Sequence, residues 1–257
     1  MRNLLHQSKV QLSLFLLLIY ALNLFANFSQ HAVISVFLAV SAAVLSDFIF
    51  LKVRRVKLFF PSAAIATGLI IALLTDPNLP FYIPILASVF AILAKNFIRI
   101  GRHIFNPASI GLIITVLLFG ASVSWWGVAW EILDLTNFQT LVPFAILLSP
   151  AFVSIYRMKR WRIILSFLLI YGLWQTLIFQ KLSVQSFLDP TVIFFSIVML
   201  PEPMTTPNNH LRQILFGSFV GLVVIFFAFV FPVFNISNLD PLISSLLLGN
   251  LLFLRLR

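Results

Sequence analysis

The chain has 257 residues, of which 61% are hydrophobic and only 9% are charged; soluble chains carry about 25% charged residues, so an ordinary water-soluble fold is excluded. Lys and Arg number 17 against 7 Asp and Glu, a net charge of +10, which in a lipid-embedded chain reads first as orientation rather than as nucleic-acid binding. The lack of cysteine excludes disulfides, thiolate metal sites, cysteine-held iron–sulfur clusters and thioether-linked haem.

A transmembrane helix needs about 20 mostly apolar residues. Charges, prolines and short polar clusters divide the chain into about ten apolar runs. The first, 10–28, follows Arg2 and Lys9 as a signal peptide would, yet it is long and lacks a small-residue cleavage pattern, so a retained helix is expected. The second, 31–51, ends at Lys52, Arg54, Arg55 and Lys57, with Asp47 near its inner end expected to pair with Lys52 or Arg54. Pro61 opens the third, 59–75, which stops at Asp76-Pro77; the fourth, 81–98, runs into Lys95, Arg99 and Arg102. Asn106-Pro107 starts the fifth, 107–120, and the segment 121–140 that follows holds Trp125, Trp126 and Trp130, read as an interfacial aromatic belt. Next come 141–156, the basic cluster Arg157, Lys159, Arg160 and Arg162, then 163–180 and 187–200, the last containing Pro190 and stopping at Glu202-Pro203. The final two runs are 213–233, after Arg212, and 240–254, opened by Asp240-Pro241. Several runs are short enough to be broken or not fully spanning.

With the amino terminus in the cytoplasm and alternating sides, every basic cluster falls inside, together with Arg212, Arg255 and Arg257, and Lys181 alone falls outside. Both termini are then cytoplasmic. Ten spans with both ends inside permit two five-span halves, approximately 1–140 and 141–257 of a single membrane domain, and an odd number of spans per half turns the second upside down. Asp76 and Glu202 end matching runs on opposite sides, and Asn106-Pro107 and Asp240-Pro241 start matching runs on opposite sides. Asn or Asp before Pro is a good helix start. Paired proline-interrupted segments also point to a polar central region, because broken helices survive at membrane depth only where protein or a wet cavity satisfies the backbone.

The stretch ATGLIIALLTDPNLPFYIPILASVFAILAKNFIRIGRHIFNPASIGL, residues 66–112, resembles the NqrB/RnfD family of membrane subunits from sodium-pumping NADH:quinone reductase and the Rnf complex, with H-I-F-N-P-A from His103 to Ala108 as its most specific piece. YRMKRWRIILSF at 156–167 and MLPEPMTTP at 199–207 extend the resemblance to roughly 59–257. It implies an all-α polytopic fold of ten helices in a urea-transporter-like inverted repeat, placed in the cytoplasmic (inner) membrane of a prokaryote. It implies flavin chemistry: FMN or riboflavin, with quinone as a further ligand, and His103, Asn106, Pro107, Glu202, Thr205 and Thr206 as the matching site residues. Family members attach FMN to a Thr in an outer loop, and Thr140 matches that position after Asp134. Here Leu135, Phe138 and Gln139 replace the family's small residues, and Phe138 would obstruct a close backbone approach, which argues for noncovalent flavin.

Without thiols, electron transfer needs a flavin, a quinone or a His-ligated haem, and His31 is placed on the face opposite His103 and His210. Glu202 is the only acid in the expected cytoplasmic loops, beside Thr205 and Thr206; it could hold a cation or proton, or accept from flavin N–H groups while the threonines orient the ligand. A rigid turn with Glu202 facing solvent or paired with Arg212 is the simpler account. Asp76 and Asp240 are the candidate ion or polar-centre residues. No P-loop, dinucleotide fingerprint or nucleophile elbow appears, and no room for a soluble domain, so nicotinamide or ferredoxin chemistry is expected of partner flavoprotein and membrane subunits. The expectation is a membrane subunit of a flavin-dependent electron-transport complex, coupled to Na⁺ or H⁺ or not coupled; the alternative is a small-solute transporter or channel without redox chemistry.

Overall fold

The computed structural model describes residues 8–26, 28–128, 155–156, 158–179, 189–236 and 238–256. The run expected at 141–156 falls almost wholly outside them; every other apolar run becomes a helix. The chain divides into two compact units, Met1–Val128 and Ala129–Arg257.

The first unit contains α1 (Ser8–Ala26), α2 (Gln30–Val53), α3 (Ser62–Leu74), α4 (Tyr82–Phe97) and α5 (Pro107–Phe119). On α2, the buried stripe is Ala32, Ser35, Ala39, Ala43, Ser46, Asp47 and Leu51, at helical spacing, while Val33, Ile34, Phe37, Leu45 and Ile49 are exposed. Small residues inside and large apolar ones outside is the pattern of a helix whose exterior solvent is lipid. The small stripe lets α3 approach, so that Ala43, Ala64 and Ile92 meet in one core cluster from α2, α3 and α4. A Cβ at Gly68 of α3 would lie 2.7 Å from the Val40 Cα, and one at Gly111 of α5 would collide with the Ala87 carbonyl oxygen of α4.

Helix α3 has 13 residues, about 20 Å at 1.5 Å per residue, against a hydrocarbon thickness of about 30 Å. Its terminal carbonyls therefore need partners at depth. The segment after α5 supplies them: Ser124 N–H donates to Leu74 O at 3.0 Å and Gly127 N–H to Leu73 O at 2.7 Å. Asn23 of α1 donates to Trp126 O at 3.0 Å, and the Tyr20 and Trp126 rings meet at 5.8 Å. Trp125 is 6% exposed, so it is a packed plug over α3 and not part of an interfacial belt.

The second unit contains α6 (Trp161–Phe179), α7 (Pro190–Phe194, continuing as a π turn over Phe195–Met199), α8 (His210–Val233) and α9 (Pro241–Leu252), followed by a 3₁₀ turn, Leu254–Leu256. Helices α6 and α8 run in the same direction, because Gly217 abuts Ile163 and Ser166 while Gly221 abuts Phe167 and Ile170. The exposed face of α8 carries Leu211, Leu215, Leu222, Phe226 and Phe229, again large and apolar. The one departure from an all-α fold among the described residues is a two-residue antiparallel hairpin, β1 (Arg99–Ile100) with β2 (Arg102–His103). It turns on Gly101 at φ +69°, a conformation glycine adopts without cost.

Candidate functional site

The most elaborate polar arrangement lies where α7 ends. Asp189 caps α7 by accepting from the Thr191 N–H at 2.8 Å, and Pro190 occupies the first helical positions, a favourable start. The helix then widens into a π turn, with Leu200 N–H donating to Phe195 O at 2.9 Å; such turns are rare and concentrate at functional sites. Pro201 and Pro203 forbid continuation, and the chain folds back on itself. Thr206 donates its hydroxyl to Glu202 O at 2.7 Å, and Thr205 approaches Glu202 O at 3.4 Å and its Oε2 at 3.5 Å.

Both threonines are fully buried. Both hydroxyls bond within the turn, where they fix the backbone and carboxylate of Glu202. Glu202 itself is partly exposed. The turn is held from outside by side chains of three other segments. Arg160, 4% exposed, donates to the carbonyls of Thr206 and Pro207 and to Asn208 Oδ1. Asn250 of α9 donates to Thr205 O at 3.4 Å, and Gln213 of α8 to Asn208 O at 3.2 Å. A buried guanidinium is tolerable only when its N–H groups find acceptors; the Thr206 and Pro207 carbonyls and the Asn208 side chain are acceptors for Arg160. Arg212, the partner considered for Glu202, instead donates to Leu256 O at 3.1 Å.

In the first unit His103 and Asn106 are both buried. Asn106 caps α5, accepting from Ser109 N–H at 3.2 Å, with Pro107 at the helix start. Asp240 does the same for α9 through Ile243 N–H at 2.8 Å, and Asp76 Oδ1 accepts from Asn78 N–H at 2.8 Å in a tight turn. All three acceptors thus do local structural work. Thr140 lies outside the described residues, as do Asp134 and Trp130. Among the described residues no group of His, Asp and Glu is arranged to hold a metal ion.

A second buried cluster was not legible as such. Asp47, 1% exposed, pairs with Lys95 of α4 at 3.0 Å, and Asn96 donates to the same Asp47 oxygen at 3.2 Å. Arg54 donates to Asn96 Oδ1 at 2.9 Å. The expected partners Lys52 and Arg54 are thus replaced by residues of the neighbouring helix, with Arg54 reaching Asp47 only through Asn96.

Among the described residues four helices are long and apolar enough to cross a membrane, with spans Ser8–Phe25, Gln30–Val53, Trp161–Ile178 and His210–Val233, and shorter apolar helices pack among them: the chain is a multi-pass membrane protein. The NQR2, RnfD, RnfE family model matches residues 3–141, more than half of the chain, and the chain belongs to that family. Among curated relatives, the D subunit of the ion-translocating oxidoreductase complex of Escherichia fergusonii is 30% identical over 110 residues, which cover 41% of this chain and 31% of that protein. Its namesake from Escherichia coli O1:K1 is 30% identical over 104 residues, 38% of this chain and 30% of its own length. The match therefore spans about a third of those relatives.

Proposed function

We propose that the chain is a membrane subunit of an ion-translocating oxidoreductase complex, receiving electrons from partner subunits and passing them through a bound flavin or quinone, with translocation of Na⁺ or H⁺ as the coupled work. The observation that carries the reading is family membership through the segment containing H-I-F-N-P-A, joined in the second unit by a buried, cross-braced P-E-P-M-T-T-P turn. Each unit repeats one neighbour order, α4 against α2 and α5, α8 against α6 and α9, which supports a duplicated, ten-helix inverted repeat with halves near 1–140 and 141–257.

What the turn offers a flavin is one carboxylate acceptor. Glu202, held by the two threonines, is a carboxylate acceptor for the ring's N–H group, and Arg160 keeps the turn rigid without competing for the ligand. A flavin supplies one- and two-electron transfer, which no side chain of this protein provides. The distribution of basic residues supports cytoplasmic termini, and the family resemblance supports an inner-membrane location.

The test is an absorbance spectrum and intact mass of the full chain, purified after co-expression with its genomic neighbours. A yellow protein whose polypeptide mass is unmodified is expected; a mass increase of one FMN would make the attachment covalent, with Thr140 as the candidate residue to map. A colourless chain that takes up a small solute into proteoliposomes without an electron donor would replace this reading with the transporter one.

A further inference from the structure

We propose that a groove at the starts of α6 and α8 binds the headgroup of an anionic phospholipid. The groove, of about 490 Å³, is lined by Tyr156, Lys159, Trp161, Arg162 and His210. Every ionisable group on that lining is basic or a phenol, and no carboxylate is among them, so the field inside favours an anion. The Arg162 guanidinium stacks over the Trp161 ring at 4.3 Å, an arrangement that fixes the cation while leaving its N–H edge to an acceptor such as a phosphate oxygen.

The loop is built to present these groups. Arg160, turned inward, ties it to the carbonyls of Thr206 and Pro207, which brings His210 beside Lys159 and Arg162. Lys159 closes the turn with φ +55°, a left-handed conformation usually left to glycine or asparagine. A lysine held there sets an ammonium at the groove mouth that a glycine would not supply.

A lipid, rather than a dissolved anion, is indicated by the level of the groove and by what flanks it. Two apolar spans, Trp161–Ile178 and His210–Val233, begin at this point, so the groove sits at the boundary between water and hydrocarbon. Tyr156 is 81% and Trp161 43% exposed, as aromatic residues are at headgroup level. Leading away from the groove, Leu165 and Leu169 on α6 and Leu211 and Leu215 on α8 are exposed and offer an apolar track for acyl chains. Basic pockets at the ends of membrane helices are a recurrent means of holding anionic headgroups. The inference is independent of the redox reading.

Native mass spectrometry of the full chain in a non-ionic detergent tests it, with phosphatidylglycerol and phosphatidylcholine of identical acyl chains as probes and inorganic phosphate as competitor. The expected result is preferential retention of phosphatidylglycerol, weakened on the order of tenfold by Lys159→Gln with Arg162→Gln and unchanged by Lys52→Gln with Lys57→Gln, which removes equal charge elsewhere. Equal retention of both lipids, or equal loss in the two double variants, overturns it; displacement by inorganic phosphate overturns the choice of a lipid. If the first double variant does not fold, Trp161→Leu leaves the charge intact and removes the stacking platform. Undiminished phosphatidylglycerol retention in that variant also overturns the proposal.

Discussion

Lys95 of α4 and Asp47 of α2 form an ion pair at 3.0 Å, with the carboxylate 1% and the lysine side chain 15% exposed. One Asp47 oxygen holds both Lys95 and Asn96, while the other, Oδ2, has no hydrogen-bond partner. Such a pair fastens two membrane helices at a level where neither charge alone would be tolerated.

Replacing either partner alone should therefore cost more than replacing both. Lys95→Met leaves an uncompensated buried carboxylate and is expected to destabilise the protein by about 3–5 kcal/mol. The double change Lys95→Met with Asp47→Leu is expected to lie closer to the parent. Thermal unfolding in detergent reads both; a double variant at the sum of two large single losses would refute the pairing as the cause.

The Arg160 brace makes a second prediction, and the absence of native cysteine makes it clean to measure. A cysteine at the fully buried Thr206 should resist a water-soluble maleimide in the parent and react readily once Arg160→Ala is added. Arg160→Lys should behave nearly like Arg160→Ala, because a single ammonium cannot replace a fork that reaches several acceptors. Equal labelling with and without Arg160 would remove it from the turn's support.

Helix starts such as Asn106-Pro107 and Asp240-Pro241 were plain in the sequence because they are local: each combines a side-chain acceptor with a residue that lacks the N–H the helix could not use. Asn209 is the exception, capping α8 through Leu211 and Arg212 N–H so that the helix begins at His210, three residues before the apolar run suggested a start, because hydropathy is blind to a polar first turn. The braces were hidden for the opposite reason. Lys95 lies 48 residues from Asp47, and which turn of α4 faces which turn of α2 is set by packing rather than by local pattern. Arg160 reads like its neighbours Lys159 and Arg162, since the charge count that orients the chain cannot tell the one that turns inward. Trp125 was likewise indistinguishable from an interfacial tryptophan until its backbone was seen closing the end of α3.

Close helix approach supplies the next prediction. A Cβ at Gly217 would strike the Ile163 carbonyl and the Ser166 hydroxyl, whereas at Gly221 the nearest atoms belong to the Ile170 side chain at 3.1 Å. Gly217→Ala is expected to destabilise by about 1–3 kcal/mol, because a backbone carbonyl cannot step aside. Gly221→Ala should cost clearly less, since an isoleucine can shift. Unfolding midpoints in one detergent compare the two directly.

Sidedness can be read with single cysteines at exposed positions. Lys57→Cys and Arg255→Cys are expected to label from the cytoplasmic side of the membrane, and Asn78→Cys from the opposite side. Labelling of Lys57→Cys and Asn78→Cys from the same face would overturn the placement of α3.

The π turn at Phe195–Met199 amounts to one surplus residue carried in a helix that could have done without it. Shortening the chain by a single position there would let the segment relax to ordinary α geometry, with Asp189 and Glu202 still at its two ends. The same deletion in α3, which has no slack, would swing every later side chain of that helix round by about 100° at 3.6 residues per turn. The two units thus differ in their tolerance of lost sequence, and shorter natural variants are to be sought first in the second.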